Sequence, residues 1–191
     1  MGKEFELKYA ATPAQQQALM EGFGDFTEIA METTYYDTAD GAFAEQKLTL
    51  RRRLENGVSV CTLKAPAGVN SRREWETQAQ SIEAAIPALC KLSGWEEPGL
   101  LAAKGLIPVC GARFTRLAKT VELVACTVEI AVDRGVLVAG EKQIPLCEIE
   151  VELKDGSEEA VTAIAGYLAH QYGLVPEPKS KFRRALELAR R

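Results

Sequence analysis

Two short stretches, one near each end of the chain, limit what it can fold into. Glu4-Phe5-Glu6-Leu7-Lys8 alternates charged with apolar residues, and Glu148-Ile149-Glu150-Val151-Glu152-Leu153 does the same. Successive side chains of a strand point to opposite faces. Glu4, Glu6 and Lys8 therefore share one face, and Phe5, Leu7 and Tyr9 the other. The second stretch sets three carboxylates against three aliphatic side chains. Like charges spaced about 6.6 Å apart along a strand are tolerable in water, so one such stretch alone carries no message. The pattern gains meaning because it recurs, with bases among the acids.

Taken in order, residues 3–10 predict a strand. Thr12-Pro13-Ala14-Gln15 predicts a helix start, with Thr12 as N-cap, Pro13 at the first helical position and Gln15 completing a capping box. That helix runs to about residue 22. A strand follows over 27–38, then a turn at Asp40-Gly41. In the strand over 47–55, Leu48, Leu50 and Leu54 oppose Arg51 and Arg53. Asn56-Gly57 is a strong hairpin signal, and the chain returns over 58–64. A loop is expected over 66–70 and a strand over 72–77, with Arg72, Glu74 and Glu76 on one face. Ser81 caps a helix over 82–92, and a short helical segment lies near 98–106. Strand-like runs cover 109–123, 126–139 and 143–154, the middle one expected to turn near Asp133-Arg134-Gly135. Asp155-Gly156 leads into a helix over 157–172, stopped by Gly173. The last helix covers 181–190.

About eight strands joined mostly by short turns, with a few helices, point to one α+β domain over residues 1–191. Its simplest form is a closed eight-stranded antiparallel barrel, which encloses room for one small ligand. The helices decide which face is which. Amphipathic helices need an apolar surface, and the strands offer Phe5/Leu7, Leu48/Leu50, Val128/Ile130/Val132 and Ile149/Val151/Leu153. The apolar faces are therefore expected outward, under the helices, and the charged faces inward.

The lumen would then hold Glu4, Glu6, Glu74, Glu76, Glu129, Asp133, Glu148, Glu150 and Glu152, with Lys8, Arg51, Arg53, Lys64, Arg72 and Arg116. Gathering so many charges costs several kcal/mol per ion unless they are paired or solvated. Two ligands would balance them: a divalent cation on the acids and a polyanion on the bases. Arg and Lys suit phosphate oxygens. Mg²⁺ prefers one or two carboxylates plus substrate phosphates and water.

Other chemistry is excluded or unsupported. The longest apolar runs fall far short of a membrane span, and the start does not resemble a signal peptide. A cytoplasmic protein with no membrane partner is expected. The five cysteines form no CxxC pair, so neither a zinc site nor a disulfide framework is indicated. A net charge of −4 argues against a nucleic-acid partner. His170, the one histidine, falls in an expected outer helix, which leaves no Ser/His or Cys/His triad. Trp75 and Trp95 read as core or boundary residues. Lys119, Arg134 and the bases of the last helix other than Lys181 read as solvated.

The ordered set Glu4-x-Glu6-x-Lys8, Tyr36-Asp37, Leu50-Arg51-Arg52-Arg53, Thr62-Leu63-Lys64, Arg72-Arg73-Glu74, Phe114-Thr115-Arg116, Glu129 to Asp133, Glu148-x-Glu150-x-Glu152 and Ser180-Lys181 resembles the CYTH, or triphosphate tunnel metalloenzyme, family over essentially the whole chain. The nearest pattern is that of bacterial inorganic triphosphatases. The resemblance implies an eight-stranded tunnel and Mg²⁺- or Mn²⁺-dependent hydrolysis of a triphosphate. Hydrolysis of inorganic triphosphate is the leading expectation, with thiamine triphosphatase, adenylyl cyclase and a non-catalytic polyphosphate- or nucleotide-binding module as alternatives. It implies metal ligands among Glu4, Glu6, Glu74, Glu129, Asp133, Glu148, Glu150 and Glu152. It implies triphosphate binding by Lys8, Arg51, Arg53, Lys64, Arg72, Arg116 and Lys181. Catalysis would fall to Glu4, Glu6, Lys8, Arg53, Lys64 and Glu150. A homodimer is left open.

Overall fold

The computed structural model describes residues 2–190. Its elements in chain order are β1 (Gly2–Ala10), α1 (Pro13–Phe23), β2 (Thr27–Asp37), α2 (Ala42–Glu45), β3 (Thr49–Glu55), β4 (Val58–Gly68), β5 (Ser71–Gln78), α3 (Ile82–Ser93), α4 (Glu97–Ala102), β6 (Ile107–Glu122), β7 (Cys126–Ala139), β8 (Lys142–Gly156), α5 (Glu158–Tyr172), β9 (Val175–Pro176) and α6 (Lys181–Ala189). The strands run β5-β4-β3-β2-β6-β7-β8-β1, and β1 also pairs with β5, which closes an antiparallel barrel of eight. The two-residue β9 adds to the far edge of β1.

Local chemistry sets the connections. Asn56 and Gly57 both take positive φ, the backbone a tight β3–β4 hairpin needs. Thr12 and Gln15 form the expected capping box on α1. Ser81, Ser157 and Ser180 cap α3, α5 and α6 through their hydroxyls.

The apolar strand faces lie outward, as expected. Phe5, Tyr9, Val128, Ile130, Ile149 and Val151 pack under α1 and α5 with Leu19, Val161, Ala165 and Leu168. Leu48, Leu50, Leu63 and Trp75 pack under α3 and α4 with Ile82, Ile86, Leu89 and Leu101. At about 25 cal/mol per Å² of apolar area, these covered faces supply the barrel's main stabilisation. The last helix sits differently. Its Ala185 and Leu188 pack with Tyr35, Phe114, Leu137 and Leu146. Those residues share strand parity with the inward-facing charges Arg53, Arg116, Asp133 and Glu150. At this end the inner face turns apolar, and α6 is seated across it.

Two local expectations are corrected. β7 does not turn at Asp133-Arg134-Gly135; it runs unbroken to Ala139. Gly135 instead allows a close approach, since a Cβ there would stand 2.1 Å from the Arg113 carbonyl oxygen and 2.5 Å from Phe114 Cα. The loop expected over 66–70 is mostly strand, because β4 continues to Gly68 through an irregularity after Pro66. The single turn α2 follows Asp37, whose buried carboxylate accepts from the Phe43 and Ala44 amides at 2.9 and 3.1 Å. Among the described residues no helix is long and apolar enough to cross a membrane.

Candidate active site

The lumen is a cavity of about 470 Å³, within the range of small-molecule sites. Register arranges its floor in rows across β7, β8 and β1. In the first row Glu129 faces Glu152, and Glu152 faces Glu6. In the second, Ala131 faces Glu150 and Glu150 faces Lys8. In the third, Asp133 faces Glu148. Each row differs in charge and therefore in chemistry.

The first row is three carboxylates side by side. Like charges directly opposite destabilise a sheet. Burial, with Glu4 and Glu129 adding to it, pushes the Glu152 carboxyl up, although Lys154 pulls it down. Lys8 donates to Glu6 at 2.7 Å. Only oxygens are presented here, the ligand chemistry of a hard cation such as Mg²⁺ or Mn²⁺ rather than of zinc. The residues fit such an ion.

The deeper rows are already neutralised. Arg116 on β6 makes a bidentate pair with Asp133 through Nε and one terminal nitrogen, both at 2.8 Å. The same terminal nitrogen lies 2.5 Å from Glu150 Oε2. Lys181, the first residue of α6, donates to Glu150 Oε1 at 2.8 Å and pairs with Asp133 Oδ2 at 2.7 Å and with Glu148. Arg184, one helical turn on, pairs with Glu148 as well. Both cations lie over the Phe114 ring, Lys181 Nζ at 5.2 Å and the Arg116 guanidinium at 5.9 Å from its centroid. Asp133, Glu148 and Glu150 approach one another closely enough for a metal, but the Lys181 ammonium lies among them.

The opposite wall is basic. Lys64 on β4 donates to both oxygens of Glu4, at 2.9 and 2.7 Å, and lies 3.2 Å from Glu74. Arg51 on β3 bonds Glu74 at 2.9 Å and reaches Glu76 at 3.5 Å. Among the described residues Arg53 pairs with Glu55 alone, at 3.1 Å, on its own strand. The Nε–H groups of Arg51 and Arg53 are buried without a hydrogen-bond partner among the described residues. Burial, and then the neighbouring charges of Arg51 and Arg116, push the Arg53 guanidinium below its usual value. An anion in the lumen would supply what these groups lack.

Of the acids and bases singled out in the sequence for binding or catalysis, all line the cavity except Asp133 and Glu148, which lie behind Lys181. Other charged residues at the site lie outside the set singled out in the sequence, Glu177 among them. Lys154 lines the cavity two places after Glu152, and the same alternation that found Glu152 points to it. Glu55 follows Arg53 by the same step. Arg184, expected in solvent, is largely buried against Glu148 and Glu177; only the position of α6 across the barrel end reveals it. Lys119 is likewise tied, to the Phe23 and Gly24 carbonyls that end α1.

A closed antiparallel barrel lined inside by both acids and bases defines the class: the chain belongs to the CYTH domain family, whose pattern matches residues 2–186. An inorganic triphosphatase of Haemophilus influenzae is 34% identical over 166 residues, 82% of this chain and 47% of that protein. The chain therefore spans about half the length of that curated relative. A Hippeastrum protein described as a candidate adenylyl cyclase with a dominant triphosphatase activity shares the fold at 18% identity and a TM-score of 0.67, covering 98% of this chain and 95% of its own. A Pyrococcus horikoshii protein does so at 24% identity and a TM-score of 0.66, covering 96% and 98%.

Proposed function

We propose that the chain is a metal-dependent triphosphatase domain that cleaves inorganic triphosphate to diphosphate and phosphate. One observation carries this: two buried guanidiniums with unbonded Nε–H groups face, across one cavity, a row of carboxylates in register. Such a lumen suits a polyanion and a divalent cation together. The similarity to the Haemophilus influenzae triphosphatase supports the same reading.

Glu6, Glu152 and Glu129, with Glu4 beside them, would hold Mg²⁺ or Mn²⁺. When bound, that ion supplies Lewis-acid polarisation of a phosphoryl oxygen and acidifies a coordinated water. Arg51 and Arg53 offer guanidinium N–H groups to phosphate oxygens, and Arg53 has little else to bond. Lys64 and Arg72 stand along the same wall, and Lys8 on the floor between the acid row and Glu150. These cations oppose the charge that builds on phosphoryl oxygens as the bond to the leaving diphosphate breaks. Arg116 and Lys181, held by Asp133 and Glu150, fix the inner end of the path. Residues 1–191 act as one domain on a small triphosphate, without nucleic acid or membrane. All five cysteines are free thiols, in keeping with a reducing, cytoplasmic setting.

Phosphate release from inorganic triphosphate, thiamine triphosphate and ATP, each with Mg²⁺ and with Mn²⁺, tests the proposal. Fastest turnover of inorganic triphosphate is expected. No release from any of the three, or cyclic AMP as the main product from ATP, overturns it.

A further inference from the structure

Lys154 lies at the acid row and has no place in the scheme above. Across β7 and β8, Val128 is registered with Leu153 and Thr127 with Asp155, so Lys154 stands opposite no residue. It is the extra residue of a β-bulge. Bulges bend a strand and re-aim side chains, often beside active sites. Here Lys154 Nζ lies 2.9 Å from Glu152 Oε1 and 3.5 Å from Glu129 Oε1. The side chain is 37% exposed, against 24% for each carboxylate it spans. Its head is thus held on the row while its stem is free enough to leave.

We propose that Lys154 is an internal competitor for the metal site, a tethered cation that occupies the Glu129 and Glu152 carboxylates and must be displaced before a divalent cation can use them. This rests on the assignment of the acid row as the metal site. The carboxylate oxygens that Lys154 engages are those the metal needs, and a lysine head is a compact point charge on a flexible stem. One positive charge cannot match two at the same oxygens, so the metal wins, at an affinity reduced by the lysine's own hold. Once displaced, the ammonium still faces the cavity. Its next acceptors are the oxygens of a bound triphosphate. Metal and substrate would then bind cooperatively, because the substrate rewards the lysine for leaving the acids. Lys154 is here a positioning residue, since it acts through the metal site.

The test measures Mn²⁺ binding by electron paramagnetic resonance on metal-stripped full-length protein, in wild type, Lys154→Met, Lys154→Arg and Glu6→Gln. Exposed ion pairs are worth little each, so Lys154→Met is expected to tighten Mn²⁺ binding by about 3- to 10-fold in the absence of triphosphate. Lys154→Arg should stay close to wild type. Added triphosphate should tighten Mn²⁺ binding in wild type more than in Lys154→Met. A urea titration of Lys154→Met confirms that the protein compared is folded. Unchanged or weaker Mn²⁺ binding by folded Lys154→Met overturns the competition and leaves the metal site standing. Mn²⁺ binding that is absent from wild type, or equal in Glu6→Gln, removes the metal-site assignment and the competition with it.

Discussion

Glu6 on β1 and Glu152 on β8 stand directly opposite each other in the sheet, with both side chains turned into the lumen. Opposed like charges cost a sheet roughly 0.2–1 kcal/mol, so a purely structural pair would be better as Glu and Gln. Glu6→Gln should therefore leave metal-stripped protein as stable as wild type, or slightly more so. With Mg²⁺ present it should lose triphosphatase activity by about 100-fold or more, as removal of a group that acts in the transition state does. Thermal melts without metal, paired with phosphate release, check both halves. A large loss of stability together with retained activity would reverse the assignment.

Arg53 should behave as a binding residue whose removal the fold tolerates. Burial and the repulsion of Arg51 and Arg116 already weigh against its charge. Arg53→Met should hold or raise the urea midpoint. It should weaken triphosphate binding by about 10- to 100-fold, matching the 1.5–3 kcal/mol of hydrogen bonds to a charged group. Isothermal titration with triphosphate reads this directly.

Much of this site was legible because β alternation is a strict rule. Once Phe5 and Leu7 are assigned to the helices, Glu6 has nowhere to point but the lumen, and the same step finds Arg51, Arg53 and Glu150. What escaped depended on distances between elements far apart in sequence. Asp133 and Glu148 obey the alternation yet miss the cavity, because Lys181 is brought over them by a helix whose position no local pattern encodes. Arg184 escaped for the same reason. Gly135 read as a turn because glycine commonly marks one. Its actual role is to admit the Arg113 backbone, and a close approach leaves the same residue type in the sequence.

Lys181 should matter more for folding than any exposed ion pair. It serves Asp133, Glu148 and Glu150 at once, with the side chains of Asp133 and Glu148 fully shielded. Removing one partner of a buried ion pair costs about 3–5 kcal/mol, because the other charges are left uncompensated. Lys181→Met should lower the unfolding free energy by about that amount in urea titrations. It should also loosen α6 from the barrel end, seen as faster amide exchange in residues 181–189.

The same cluster sets the pH range of stability. Burial alone would raise the Glu150 carboxyl, but Lys181, Arg116 and Lys8 outweigh it and hold the group well below the usual carboxylate value. A depressed folded value means that the stabilisation is complete above the unfolded value of about 4.3 and is lost as pH falls through the folded one. Lys181 carries the opposite sign. Burial would lower it, yet Asp133, Glu148 and Glu150 raise it far above a normal lysine. Its contribution is complete below the unfolded value of about 10.4 and is lost only as pH climbs through the higher folded value. The contributions of Glu150 and Lys181 should be level from about pH 5.5 to 9.5. The gap in unfolding free energy between wild type and Glu150→Gln should be constant over that range and should narrow below about pH 4. A gap that stays constant down to pH 3 would show Glu150 to be an ordinary carboxylate and the ion cluster to be loosely held.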